Sequence, residues 1–225
     1  MKIKKFLILL TTITLSLFLS TSSRAANLIS NWNFEQGNTG FYTDYDYKTP
    51  DNNKVLQPEG TYAIVDDPAL VHTDATSLGD HTTGNGLMMV VNGSPTANQV
   101  VWGQNIAVAA NQQYTFSAWI NNWVSRSPSV LDFRVNDQSI GTFEVTSELE
   151  NAWNNHEWIY FESNWSSANN EIANLSIVDL NTIRSGNDFI IDDLSFDTAP
   201  VPEPSSVILG LMGLAGYFGV RRRRN

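Results

Sequence analysis

The sequence predicts an all-β protein built as an antiparallel sandwich, and three observations carry that prediction. Ten short runs rich in β-branched and aromatic residues recur between turn-forming breaks such as Asn92-Gly93-Ser94-Pro95 and Ser185-Gly186-Asn187. Within one run, Tyr114, Phe116, Ala118 and Ile120 alternate with Thr115, Ser117 and Trp119, the period of a strand with one face buried. Nothing between the two ends of the chain sustains a helical period. That many strands at this spacing fold as two packed sheets.

Taken in order, the expected strands are residues 28–35, 61–65, 86–91, 99–108, 113–123, 130–135, 139–145, 157–162, 172–180 and 188–196. The first carries Leu28, Ile29, Trp32 and Phe34, and the second is the apolar run Thr61-Tyr62-Ala63-Ile64-Val65. Met88 to Val91 and Ile190-Ile191 are continuous apolar stretches of the kind a strand shows when both faces are covered. The remaining runs mix apolar and polar residues, as half-exposed strands do. No internal repeat is visible.

Residues 26–200 therefore form one domain, large enough to bury a substantial core, between residues 1–25 and 201–225. Eight of the 13 basic residues and one of the 23 acids, Glu203, lie in the two ends. The domain keeps 5 basic and 22 acidic residues, a formal −17 against −10 for the whole chain. Such a surface repels nucleic acid and anionic lipid and suits divalent cations or neutral partners such as sugars; it equally serves solubility. There is no cysteine, so no disulfide and no lipoprotein signal contributes.

The ends read as addresses. Lys2, Lys4 and Lys5 precede an apolar run from Phe6 to Leu19 and a small-residue stretch, the layout of a secretory signal peptide cleaved after Ala25; a retained anchor is the alternative. At the other end, Pro202, Glu203 and Pro204 precede 16 residues from Ser205 to Val220 and then Arg221, Arg222, Arg223 and Arg224. As a helix those residues span about 24 Å, a little short of a bilayer core of about 30 Å. The arginines belong on the cytoplasmic side. Gly210, Gly213, Gly216 and Gly219 give the helix one bare face suited to close packing in lipid. An ordinary transmembrane anchor has this composition too. The tail resembles the PEP-CTERM sorting signal, whose triplet, apolar segment and arginine run it reproduces in order. That resemblance implies transient lodging in the inner membrane of a Gram-negative bacterium that makes exopolysaccharide, recognition and cleavage by an exosortase, and delivery to the cell surface or beyond.

A second resemblance spans the domain. Asn27-Leu28-Ile29-Ser30-Asn31-Trp32-Asn33-Phe34-Glu35, Tyr114-Thr115-Phe116-Ser117-Ala118-Trp119 and Asp188-Phe189-Ile190-Ile191-Asp192-Asp193-Leu194-Ser195-Phe196 look like the opening, central and closing strands of galactose-binding-like jelly rolls, which include calcium-containing carbohydrate-binding modules. The resemblance implies a jelly-roll sandwich with first and last strands side by side, and one structural calcium ion held by Glu35 and Asp192. Shared parity of Asp192, Leu194 and Phe196 puts the carboxylate on the core side, where it needs a counter-charge or backbone amides. Asp193, facing the other way, is the second choice, and the Asp66-Asp67 turn is a further ligand source.

Sugar modules stack exposed rings on pyranose faces. Trp32, Trp102 and Trp158 sit inside strand patterns and are expected in the core. Trp123, Trp153 and Trp165, in polar neighbourhoods, and Tyr42, Tyr45 and Tyr47, in one loop with Asp44 and Asp46, are the ligand candidates; packing at the open ends of the sandwich is the competing role for each. Asp80 and His81 lie in a segment that resembles one recurring in secreted bacterial sandwich domains, from which no function carries over; in this chain they are expected to order a loop, with metal ligation or an acid–base pair as the alternatives.

Three functions remain open: carbohydrate binding in an exopolysaccharide matrix, a structural or adhesion role without sugar affinity, and glycan hydrolysis. Against catalysis stand three histidines without zinc-ligand spacing and no Ser-centred nucleophile elbow, so no catalytic residue is assigned.

Overall fold

The computed structural model describes residues 26–198, apart from 52, 124–125, 145–148 and 151–153. The expected signal peptide, the tail in which an apolar helix is expected, and Trp153 lie outside the described residues.

Among the described residues, ten strands and one short helix follow in the order β1 (Asp46–Tyr47), β2 (Thr61–Val65), α1 (Pro68–Val71), β3 (Met88–Asn92), β4 (Val100–Ala107), β5 (Gln113–Asn122), β6 (Leu131–Val135), β7 (Gln138–Phe143), β8 (Ile159–Ser166), β9 (Ile172–Asp179) and β10 (Phe189–Thr198). They form a jelly-roll sandwich of a six-stranded sheet, β1-β2-β3-β10-β5-β8, on a four-stranded sheet, β4-β9-β6-β7. Every pairing is antiparallel except the short parallel β1–β2 contact.

The alternation read in β5 sets its orientation: Tyr114, Phe116, Ala118 and Ile120 enter the main core with Trp102, Phe133, Leu175, Ile177, Ile191, Leu194 and Phe196 from the other strands. Burial of these side chains from both sheets holds the layers together, at about 25 cal/mol per Å² of apolar surface. A second, smaller core lies on the outer face of the six-stranded sheet. There Ala63, Val65, Met88, Val90 and Ile190 meet Leu56, Val71 and Trp123 beneath α1 and its flanking loops. This cover explains the continuous apolar runs in β2 and β3, whose five residues each are all buried. Asp67 caps α1 through Oδ1, which accepts the Ala69 N–H at 2.9 Å, and its Oδ2 accepts the Ser77 hydroxyl at 2.9 Å.

Two expectations are corrected. Residues 28–35 are not a strand. Asn31 and Phe34 adopt left-handed φ values of 50° and 57°, and the buried Asn31 amide donates to the carbonyls of Gly37 and Thr39 while its oxygen accepts the Gln36 N–H. The chain therefore coils around Asn31. It still lies beside β10, through Leu28 N–H to the Phe196 carbonyl and Leu194 N–H to the Trp32 carbonyl. The parity of β10 is also broken, by an irregularity between Asp192 and Ser195, with Asp193 at φ 48°. Asp192 pairs with Trp119 and Ser195 with Ser117, both outward on β5. Asp192 therefore shares the outer face with Trp119, not the core face with Leu194.

Candidate functional site

The outer face of the six-stranded sheet is bare where α1 and its loops end, and there β10, β5 and β8 form the floor of a groove. Core packing of Phe116, Ala118 and Ile120 obliges Ser117 and Trp119 to point outward. Opposite Trp119 on β8 stands Tyr160, with ring centroids 5.1 Å apart, and opposite Ser117 stands Glu162. The coiled opening segment contributes Asn27 and Trp32 as the far wall. Asn27 is fixed by its amide, which donates to the Leu194 carbonyl at 2.8 Å and accepts the Phe196 N–H at 3.0 Å. Together with Ser117, Trp119 and Tyr160 of the floor and Asp193, Leu194, Ser195 and Asp197 of β10, Asn27 and Trp32 line an open groove of about 370 Å³, with Glu162 beside it. Trp32 is 37% and Tyr160 43% exposed.

One end of the groove is closed by the 79–86 loop, tied down by carboxylates. His81 stacks on Trp119 at 3.9 Å with an interplanar angle of 17°, and its Nδ1 lies 2.6 Å from Asp193 Oδ2. Thr82 donates its hydroxyl to Asp193 Oδ1 at 2.5 Å, and the His81 N–H donates to Asp192 Oδ2 at 2.9 Å. Asp80, itself buried, accepts the N–H groups of Thr83 and Gly86 and the Thr83 hydroxyl, contacts that hold its carboxyl below the ordinary range. Asp192 is fully buried, and burial, with Asp193 beside it, pushes its carboxyl up to about 8. Its Oδ1 has no partner.

Glu35 reaches the same loop. Its Oε1 accepts the Leu87 N–H at 2.6 Å, and a Cβ at position 86 would collide with it and lie 3.0 Å from Asp80 Oδ2, so only glycine fits there. Glu35, Asp80 and Asp192 thus converge on one loop. Among the described residues, however, no three Asp, Glu or His side chains gather tightly enough to cage a metal by themselves. Asp67, spent on capping α1, lines with Asp66 a separate shallow cleft of about 340 Å³.

The other ring candidates divide. Trp123 is 2% exposed and donates its indole N–H to the Val91 carbonyl at 3.0 Å, with His72 packed edge-on, so it belongs to the second core and not to a ligand surface. Tyr45 is 5% exposed, its hydroxyl accepts the Ser94 N–H, and burial raises its phenol, so it too is a packing residue. The polar context of both in the sequence reflects neighbours that turn away from them. Trp165 is half-buried against the main core near Tyr114 and Phe196. Tyr42 is exposed but lies across Gly103 on β4, and Tyr47 is exposed on β1 against Tyr62. The three tyrosines therefore have three different neighbourhoods and make no common surface.

Trp32 is the reverse case, expected in the core and found on the groove wall. The grouping of Trp119 with Tyr160 was also not foreseen. The signal for it is the alternation in β5 and β8, where Trp119, Tyr160 and Glu162 occupy the outward positions, but the pairing of these strands is not written in either of them.

The fold defines a class, the antiparallel jelly-roll β-sandwich, and solved structures share it. A Stig cyclase from Fischerella sp. TAU superposes with a TM-score of 0.51 at 10% identity, covering 80% of this chain and 100% of that one. The xylan-binding CBM22-1 domain from Paenibacillus barcinonensis gives 0.48 at 12% identity over 79% and 97% of the two chains. A CBM61 domain in complex with β-1,4-galactotriose gives 0.49 at 15% over 78% and 100%. At these identities the likeness concerns the fold alone. No curated protein matches the chain. Residues 200–224 match the PEP-CTERM protein-sorting motif, a span that holds Pro202, Glu203, Pro204 and the four arginines from Arg221 to Arg224. The chain therefore carries the sorting signal of an exosortase-processed bacterial surface protein. Among the described residues, no helix is long and apolar enough to cross a membrane.

Proposed function

We propose that the protein binds carbohydrate at the groove over β10, β5 and β8, and that it does so as a non-catalytic component of an exopolysaccharide matrix outside the cell. The observation that carries this reading is the row formed by the exposed Trp32 and Tyr160 and the half-buried Trp119, beside Asp193, Asp197, Ser195 and Asn27. Flat rings left in water present apolar faces to the C–H face of a sugar, and carboxylate, hydroxyl and amide groups at their edges take its hydroxyls. The sorting motif supports the setting, because it directs the domain to where a bacterium keeps its polysaccharides.

The test is calorimetric titration of the protein with β-linked hexose and hexosamine oligosaccharides. Trp119→Ala should weaken binding by about tenfold or more while the circular dichroism of the sheet persists. If no oligosaccharide binds, or if Trp119→Ala binds as well as the wild type, the reading falls, and a structural or adhesion role becomes the better account.

We propose, in addition, that a calcium ion stabilises the 79–86 loop. The unpartnered, buried Oδ1 of Asp192 fits this idea, as a negative oxygen without a donor in an apolar setting needs a cation or a proton. Asp192 and Glu35 would hold the ion together with backbone carbonyls, which a hard cation accepts readily. It would supply charge compensation and rigidity. Melting should be higher in calcium than in chelator, and Asp192→Asn should abolish the difference; identical melting in both would contradict the proposal.

A further inference from the structure

We infer that the glycan taken by this groove is one carrying free amino groups, a positively charged hexosamine polymer. The inference rests on the carbohydrate-binding reading and adds the charge of the ligand. Asp193 and Asp197 line the groove, and Glu162 flanks it, accepting a hydrogen bond from the Tyr160 hydroxyl at 3.0 Å. Asp197 accepts one from Ser195 within the groove itself, at 3.2 Å. No lysine or arginine side chain lines it.

That absence is not a matter of chance placement, because all five cationic side chains of residues 26–200 are engaged elsewhere. Lys48 lies 3.9 Å from Asp46, Lys54 donates to the Ala69 carbonyl, and Arg134 holds Asp132 at 2.6 Å. Arg126 reaches Ser185 and Asp74, and Arg184 lines a separate cleft with Glu59. His81 is the one basic ring at the groove, and it faces Asp193. A uronate or sulfated glycan laid on Trp119 would set its anions against Asp197 and Glu162, which no cation at the groove faces, and against Asp193, which only His81 faces, in the field of a domain of formal charge −17. A neutral hexose would meet no penalty and gain no charge. A hexosamine with its amine unacetylated would place ammonium groups within reach of carboxylates at the edge of the stacking rings, where charge-assisted hydrogen bonds form. An unacetylated amine is therefore the substituent that uses the carboxylates of Asp197 and Glu162 as well as the rings.

The test compares three ligands on the full-length chain by calorimetry, somewhat below neutral pH: a β-1,4-linked glucosamine hexamer, its fully N-acetylated counterpart and the glucose hexamer. The glucosamine hexamer should bind about tenfold tighter than either of the others at low salt, and the preference should shrink as salt rises. Asp197→Asn combined with Glu162→Gln should bring its affinity down to that of the glucose hexamer. Equal affinity for all three, or tighter binding of the neutral ones, overturns the inference and leaves the carbohydrate reading in place. Tight binding of the glucosamine hexamer that survives Trp119→Ala also overturns it, since the amine would then be held by the acidic surface at large. Binding of none of the three overturns both.

Discussion

The two halves of one sheet face differ in a way that separates packing from function. Over β2 and β3 the outer face of the six-stranded sheet is apolar and roofed by Leu56, Val71 and Trp123. Over β10, β5 and β8 the same face is covered only in part, by the 79–86 loop whose His81 stacks on Trp119, and it leaves Tyr160 exposed, with Trp32 along the wall. Burial explains the first half completely: strand residues with apolar side chains on both faces require a lid. It does not explain the second, because a surface meant only for water has no use for large rings in a row. The aromatic residues that the fold declines to cover are the ones to connect with ligand.

The sharpest way to break this comparison is to truncate one tryptophan in each half. Trp123→Ala should cost about 3–5 kcal/mol of stability, since it removes a fully buried ring and a hydrogen bond to the Val91 carbonyl. Trp119→Ala should cost about 1–2 kcal/mol, as a half-buried ring does, while removing most glycan affinity. Chemical denaturation and titration of both variants give the two columns. The reverse pattern would place function in the roofed half.

A second prediction concerns pH and the rim remote from the groove. Asp179 and Asp188 are buried near the end of the sandwich, and desolvation pushes each carboxyl up to about 7 from an ordinary 3.8. In the folded protein they stay protonated over a range where the unfolded chain has released its protons. The folded state thus binds more protons, and stability must fall as pH rises. The melting temperature should be highest near the ordinary carboxylate pKa and decline as pH passes through about 7, with Asp179→Asn flattening the decline. Stability that rises across that window would contradict the burial assigned to both. The smallest effect is expected from Asp67→Ala, which removes the cap of α1 and the Ser77 contact: about 1 kcal/mol, felt in the roofed half and not in glycan binding.

Much of this architecture was legible in the sequence because strand alternation is a local property. The runs that became β2 to β10 announced themselves, and the inward set of β5 was correct residue by residue. Features that depend on a single backbone conformation were not legible. Asn31 and Phe34 at positive φ turn the opening segment from a strand into a coil, and Asp193 at positive φ reverses the facing of Asp192. Parity arguments assume an unbroken pleat, so one irregularity between Asp192 and Ser195 defeats them. The candidate site was less legible still. Trp123 follows two asparagines and is buried, whereas Trp32, flanked by Asn31 and Asn33, is exposed, because exposure is set by the roof that folds over one and not the other. Local polarity in the sequence carries no information about that roof.

The most direct test is a nuclear magnetic resonance titration that follows the indole N–H signals of the tryptophans as a hexosamine oligosaccharide is added to the intact protein. The account predicts large shifts for Trp119 and Trp32 and none for Trp123, whose N–H is held by the Val91 carbonyl. Shifts confined to Trp123 or Trp165, or no shift at any indole, would contradict the claim that the uncovered half of the sheet is the binding surface.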